Sequence, residues 1–250
     1  MKRTNSSGRI SLLRSAWGWW KEKATRDGQI AATRELLSRL VEFVQDSTPD
    51  RRRARFGDAD YDWEHRVNTT SGAVNWRDRL LGVFHSPYQP TDAALFHEMM
   101  TDLSAQPGFG FPDFTFIDLG SGKGRTLLMA SDYPFRRIVG VELLPALHRE
   151  AQENLGKYSN RMQKCFAVES ICRDATEFDF PVEPTVLFLF NPFPEFGLRK
   201  VIENLGASLR DHPRKVYVVY HNPALECVLR EWDAMEKIGG THQYVIYGSR

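Results

Sequence analysis

With 250 residues, 42% hydrophobic and 26% charged, the chain has the balance of a globular protein and is long enough for one large domain or a smaller one with an appendage. The formal net charge is only +1, yet residues 1–60 carry 13 Lys+Arg against 8 Asp+Glu, so the basic character sits at the front. Cys165, Cys172 and Cys227 form no CxxC pair, which speaks against a disulfide framework or a cysteine zinc site and for a reducing, cytoplasmic setting; no apolar run reaches the ~18 residues of a membrane span, and no signal-peptide core follows Lys2 and Arg3.

Residues 1–11 are polar and basic without a hydrophobic period. Trp17, Trp19 and Trp20 then stand among Arg14, Lys21 and Lys23, a pattern open to two readings: a docking element for a membrane surface or partner, or rings packed on the protein itself. From Gln29 to Gln45 the apolar positions Ile30, Leu36, Leu37, Leu40, Val41 and Val44 recur at helical spacing and predict an amphipathic helix. Arg51, Arg52, Arg53 and Arg55 are open to two readings, a nucleic-acid contact or a solvated linker, and the shortness of the run favours the linker, so nucleic acid is a possible partner that the sequence does not indicate. Residues 61–87 lack a period but hold Tyr61, Trp63, Trp76 and Phe84, suggesting a packed irregular cap. Thr91 is expected to cap a helix buried through Leu95, Phe96, Met99, Met100 and Leu103. The organisation expected is a basic N-terminal segment over 1–60, a cap and pre-core helix over 61–110, and a main domain over 111–250.

In that last part strands alternate with helices, the signature of a parallel sheet covered on both faces. Strands are expected at Phe114–Leu119, Arg137–Glu142, Glu169–Arg173, Thr185–Phe190 and Val216–Tyr220. Helices are expected at Gly124–Ala130, Leu144–Tyr158 and Leu198–Leu209, with a further one marked by Leu225, Val228, Leu229 and Trp232. Gly239 and Gly240 read as a turn before a last strand at Tyr244–Tyr247, antiparallel in one reading.

The most informative residues are Asp118-Leu119-Gly120-Ser121-Gly122-Lys123-Gly124-Arg125, where the first strand passes into the first helix. Glycine lacks a Cβ, so Gly120, Gly122 and Gly124 let the backbone turn sharply and approach a ligand closely. The spacing is neither GxGxxG nor GxxxxGK[ST], which sets aside a dinucleotide fingerprint and a phosphate loop. Glu142, at the end of the second strand, is placed to accept both hydroxyls of a ribose. Asp174, after the third strand, is placed to accept from an adenine amino group, with the Ala175 amide available to a ring nitrogen. Three acids at successive strand ends behind a glycine turn point to a nucleoside site. The histidines show no metal-ligand spacing, and no metal is expected.

These residues resemble the class I S-adenosylmethionine-dependent methyltransferases over about residues 85–250. The resemblance implies a Rossmann-like, doubly wound α/β fold with a mostly parallel seven-stranded sheet and an N-terminal helical or irregular cap, and S-adenosyl-L-methionine as cofactor. It implies that Asp118 with Gly120, Gly122 and Gly124 holds the methionine part, Glu142 the ribose, and Asp174 with Ala175 the adenine. The extended DLGSGKGR form is similar to the turn of Dot1-like lysine methyltransferases and their bacterial relatives, in which a segment before the first strand closes over the cofactor; Tyr88, Pro90 and Thr91 stand in the matching place. Asn191-Pro192-Phe193-Pro194 is similar to the Asn/Asp-Pro-Pro-Tyr/Phe motif of enzymes that methylate amino nitrogens, with the aromatic residue third instead of fourth. Two readings stand for it: a rigid strand-to-helix turn, or a substrate role in which Asn191 accepts from the amine and Phe193 packs on it. His221, ending the fifth strand, is either structural or a group that holds substrate or takes a proton. The resemblance implies methyl transfer to an acceptor that is a protein amine or small molecule; the alternatives are a non-catalytic binding module on the same fold, or another nucleoside-cofactor enzyme.

Overall fold

The computed structural model describes residues 12–45, 59–69 and 90–250. These fall in two units. The first is a helical hairpin of α1 (Leu12–Asp27) and α2 (Gln29–Gln45), turning at Gly28 with φ +89°. Residues 12–27, where no helix was expected, are helical, while α2 has the bounds its apolar spacing predicts. Trp19 and Ala32 are buried, the Trp20 indole donates to Thr33 Oγ1 at 3.1 Å, and Lys23 bridges Asp27 and Glu35 at 2.9 and 2.8 Å. Trp17 stacks on Trp20 with 63% of its surface exposed, whereas Trp19 is buried, so the packed reading holds for Trp19.

The second unit contains α3 (Ala59–His65), α4 (Ala93–Ser104) and the alternating part of the chain. Residues 59–65 are helical where an irregular cap was expected; Trp76 and Phe84 lie outside the described residues, as does the Arg51–Arg55 run. The N-cap of α4 is Asp92, not Thr91: its Oδ1 accepts from the Leu95 amide at 2.9 Å, so the carboxylate three residues before Leu95 satisfies the orphan helix donor.

There follow β1 (Thr115–Leu119), α5 (Arg125–Ser131), β2 (Arg137–Glu142), α6 (Pro145–Lys157), β3 (Val168–Cys172), β4 (Thr185–Phe190), α7 (Glu195–Asp211), β5 (Val216–His221), α8 (Glu226–Arg230), β6 (Met235–Gly240) and β7 (Tyr244–Ser249). They build one seven-stranded sheet in the order β3-β2-β1-β4-β5-β7-β6, parallel except where β7 runs against β5 and β6. This is a Rossmann-like, doubly wound α/β sheet. Residues 235–240, read from Gly239-Gly240 as a turn, are instead the edge strand β6. Its pattern of exposed Glu236 and Lys237 carries little apolar signal, and only pairing with β7 defines it.

Side chains alternate across the pleat, and both faces are buried. One face packs Ile117, Leu119, Leu187 and Leu189 under Leu198, Val201 and Leu205 of α7. The other packs Phe116, Ile138, Val186 and Phe188 against Phe96, Met99 and Leu103 of α4 and Leu127 of α5. The chain leaves β1 toward β2 and β3 and returns to the other side at β4. The strand order therefore reverses between β1 and β4, where the two carboxyl ends leave a crevice.

Candidate functional site

At that switch point β1 runs into the glycine turn. Gly120, Gly122 and Gly124 have φ of +87°, +54° and +81°, in the left-handed region that side chains avoid. Gly120 is also sterically closed, since a Cβ there would sit 2.6 Å from Cβ of Pro192 in the turn after β4. The glycine turn and the Asn191-Pro192 turn thus touch across the crevice. The Gly120 and Ser121 amides continue the ladder to Val141 O at 2.8 and 3.1 Å. Asp118, two residues before Gly120, is buried; burial pushes its carboxyl up to about 7, a hydrogen bond with Thr126 opposes this, and the charge of Glu142 adds to it.

Glu142 ends β2 and is also buried. Its Oε2 accepts from the Gly122 amide at 2.8 Å and its Oε1 from the Leu144 amide at 2.8 Å. A carboxylate oxygen has two lone-pair sites and can accept from more than one donor. β3 lies next to β2 with Cys172 opposite Glu142, and the Arg173 amide donates to Glu142 O at 3.0 Å, which brings Asp174 to the same edge. Asp174 is exposed and caps a short 3-10 turn, its Oδ1 accepting from Thr176 N at 2.8 Å, and Ala175 behind it is buried.

Beyond the crevice, Phe190 and His221 are register partners on β4 and β5 with ring centroids 3.9 Å apart. His221 is buried, its Nδ1 has no partner among the described residues, and burial lowers its pKa to about 4 against the opposing pull of Asp92. The imidazole is therefore neutral at pH 7. Asn191 has φ +43°, and its Oδ1 accepts from the Tyr220 hydroxyl at 2.7 Å and from the Ala224 amide at 3.4 Å. This partner was not evident from the sequence, since Tyr220 reads as one more apolar position of β5. Phe193 turns back onto α7, with its Cβ 3.2 Å from where a Cβ of Gly197 would be, and packs against the sheet core. Thr91 is buried beside the α4 cap, and Tyr88 lies outside the described residues.

The structure thus aligns Asp174, Glu142, Gly122, Gly120, Asn191 and His221 along one edge of the sheet, and sets Phe193 into the adjoining core. Among the described residues no cluster of His, Cys, Asp or Glu is arranged for a metal, and no helix is long and apolar enough to cross a membrane.

Comparison with protein-family models and with curated proteins finds no match. Solved structures with a related arrangement include an RNA methyltransferase from Salinibacter ruber in complex with S-adenosyl-L-homocysteine, at 20% identity over 64% of this chain and 92% of that one, TM-score 0.39. A predicted N6-adenine-specific DNA methylase from Listeria monocytogenes aligns at 14% identity over 66% and 53% of the two chains, TM-score 0.47. The rRNA methyltransferase aviRa from Streptomyces viridochromogenes aligns at 12% identity over 66% and 87%, TM-score 0.45. Likeness at this level does not bear on the substrate of this chain.

Proposed function

We propose that this protein is an S-adenosyl-L-methionine-dependent methyltransferase whose acceptor is an amino nitrogen, in line with the similarity of its glycine turn to those of Dot1-like lysine methyltransferases. The observation that carries the cofactor assignment is the buried Glu142 carboxylate, bonded to the Gly122 amide at 2.8 Å beside a turn that tolerates no side chain at Gly120. A diol binds to such a carboxylate through two charge-assisted hydrogen bonds, and a chain without Cβ atoms lets the rest of the ligand lie against the backbone. Asp174 and the Ala175 amide, farther along the same edge, suit a heterocycle that both donates and accepts. When bound, the cofactor supplies a methyl group on a positively charged sulfur, already an excellent leaving group. Gly120, Gly122, Glu142, Asp174 and Ala175 would hold it, and its methyl carbon would then be open to an amine lone pair, with the neutral thioether as the departing group.

The chain's own contribution is alignment and exclusion of water. Asn191 holds Tyr220 and the start of the α8 loop, so it fixes the wall of the acceptor side through its side-chain oxygen. A neutral His221 offers the acceptor a hydrogen bond without adding a competing cation. An ammonium acceptor is brought to its neutral, nucleophilic form by burial in this rim.

Incubation with labelled S-adenosylmethionine and fractionated cell extract, with the labelled atom located by mass spectrometry, tests the reading. Label on nitrogen is the expected result; label on carbon, oxygen or sulfur removes the amine assignment, and binding without transfer to any fraction favours a binding module. Asn191→Ala should lower turnover on the order of ten- to a hundredfold while leaving S-adenosylhomocysteine affinity nearly intact. Loss of affinity together with turnover would move Asn191 into the cofactor pocket.

A further inference from the structure

The two cations of the glycine-turn segment, Lys123 and Arg125, are both buried and both linked to residues 61–69, Arg125 directly and Lys123 through Glu150, although that stretch lies more than fifty positions earlier in the sequence. The Arg125 guanidinium sits 4.2 Å from the Tyr61 ring centroid, and its Nη1 reaches Thr69 Oγ1 at 3.4 Å. Lys123 Nζ pairs with Glu150 Oε2 at 2.7 Å, and that same oxygen accepts from Asn68 Nδ2 at 3.4 Å. Thr69 is bonded back to Asp62 through both its amide, at 2.8 Å to Oδ2, and its hydroxyl, so residues 62–69 form a closed loop.

A third side chain joins this loop to the backbone of the turn. Asn154, buried in the last turn of α6, accepts from the Asn68 amide at 2.9 Å through Oδ1 and donates through Nδ2 to Asn68 O and to Lys123 O, each at 3.0 Å. Only a carboxamide in this orientation satisfies one N–H and two carbonyls at once; Asp lacks the donors and Leu lacks all three bonds. The turn needs such support because glycine at 122 and 124 leaves its peptides free to rotate. Glu142 holds it from the β2 side at Gly122 N, and Asn154 holds it from the α6 side at Lys123 O.

We propose that residues 61–69 form a strap whose docking, transmitted through Asn154 as a positioning residue, sets the affinity of the glycine turn for its nucleoside cofactor. The proposal rests on the cofactor reading above. A ligand that requires the ordered turn favours the docked strap, and by reciprocity the docked strap favours the ligand. The chemistry reaches neither Asn154 nor the strap directly.

The test uses the full-length chain, with S-adenosylhomocysteine affinity measured by calorimetry and amide hydrogen exchange followed over residues 61–69. In the wild type the ligand should slow exchange at Asn68 and Thr69, whose amides bond to Asn154 and Asp62. Asn154→Leu should weaken binding by about tenfold or more, within the range of ordinary site-to-site coupling, and should abolish the ligand-dependent protection of the strap while protection of β4 and β5 persists. Asp62→Ala, which opens the strap without touching the turn, carries the same expectation where Asn154→Leu does not fold. Should neither variant fold, the wild-type exchange decides alone: ligand binding that leaves residues 61–69 unprotected overturns the coupling. Unchanged affinity in either folded variant overturns it as well, with the cofactor reading intact. A wild-type chain that does not bind the ligand overturns the cofactor reading, and the coupling falls with it.

Discussion

Burial displaces the pKa values of Asp118 and His221 in opposite directions, up for the acid and down for the imidazole, and each ties the site to folding. Asp118 holds its proton up to about pH 7 in the folded chain, against ~3.9 in an unfolded one. Between those values the folded state binds the extra proton, so its stability falls as pH rises through the window. Asp118→Asn cannot ionise, and its melting temperature relative to the wild type should be higher at pH 8 than at pH 5; an equal difference at both would mean that Asp118 does not titrate there. His221 runs the other way, with a folded value of about 4 against ~6.5 unfolded. Its contribution is complete above pH 6.5 and is lost as pH falls through 4. Thermal melts of His221→Gln should therefore decline less than those of the wild type between pH 7 and 4.5, and parallel declines would show that the ring is not kept neutral by burial. The acids of β1 and β2 were legible in the sequence because those strands are continuous apolar runs that stop beside them, whereas Asp174 follows β3, where Glu169 and Ser170 interrupt any run. The partners of Asn191 and Glu142 were not legible, since Tyr220, Gly122 and Leu144 meet them only through the sheet register.

The elements themselves were read best where burial is two-sided. Arg137–Glu142 and Thr185–Phe190 have the bounds that their continuous apolar runs imply, because both faces of these inner strands meet helices. β6 escaped notice because an edge strand needs only one covered face, and its two glycines imitate a turn. The strap at 61–69 escaped for a different reason: its bonds run to Asn154 and Arg125, and no local period records a contact across so much chain. The α8 loop is pinned by Tyr220, whose hydroxyl donates to Asn191 Oδ1 and accepts from the Leu225 amide at 3.4 Å. Tyr220→Phe should cost about 1 kcal/mol in chemical denaturation, the worth of one buried hydrogen bond, and should lower turnover without changing S-adenosylhomocysteine affinity. A variant with wild-type stability and turnover would show that the loop is held by packing alone.

At the scale of the whole molecule, the reversal of strand order between β1 and β4 gathers residues separated by a hundred positions into one crevice, and the account depends on a nucleoside occupying it. The glycine spacing made that crevice legible in advance, whereas loops and segments whose sequence has no period give no comparable signal. The direct test is calorimetric titration of the full-length chain and of Glu142→Ala with S-adenosylhomocysteine. The wild type should bind one ligand per chain, and the variant should bind roughly 1.5–3 kcal/mol more weakly, the loss expected for charge-assisted bonds to both ribose hydroxyls. Absence of binding by the wild type, or equal affinity in the two proteins, would contradict the account.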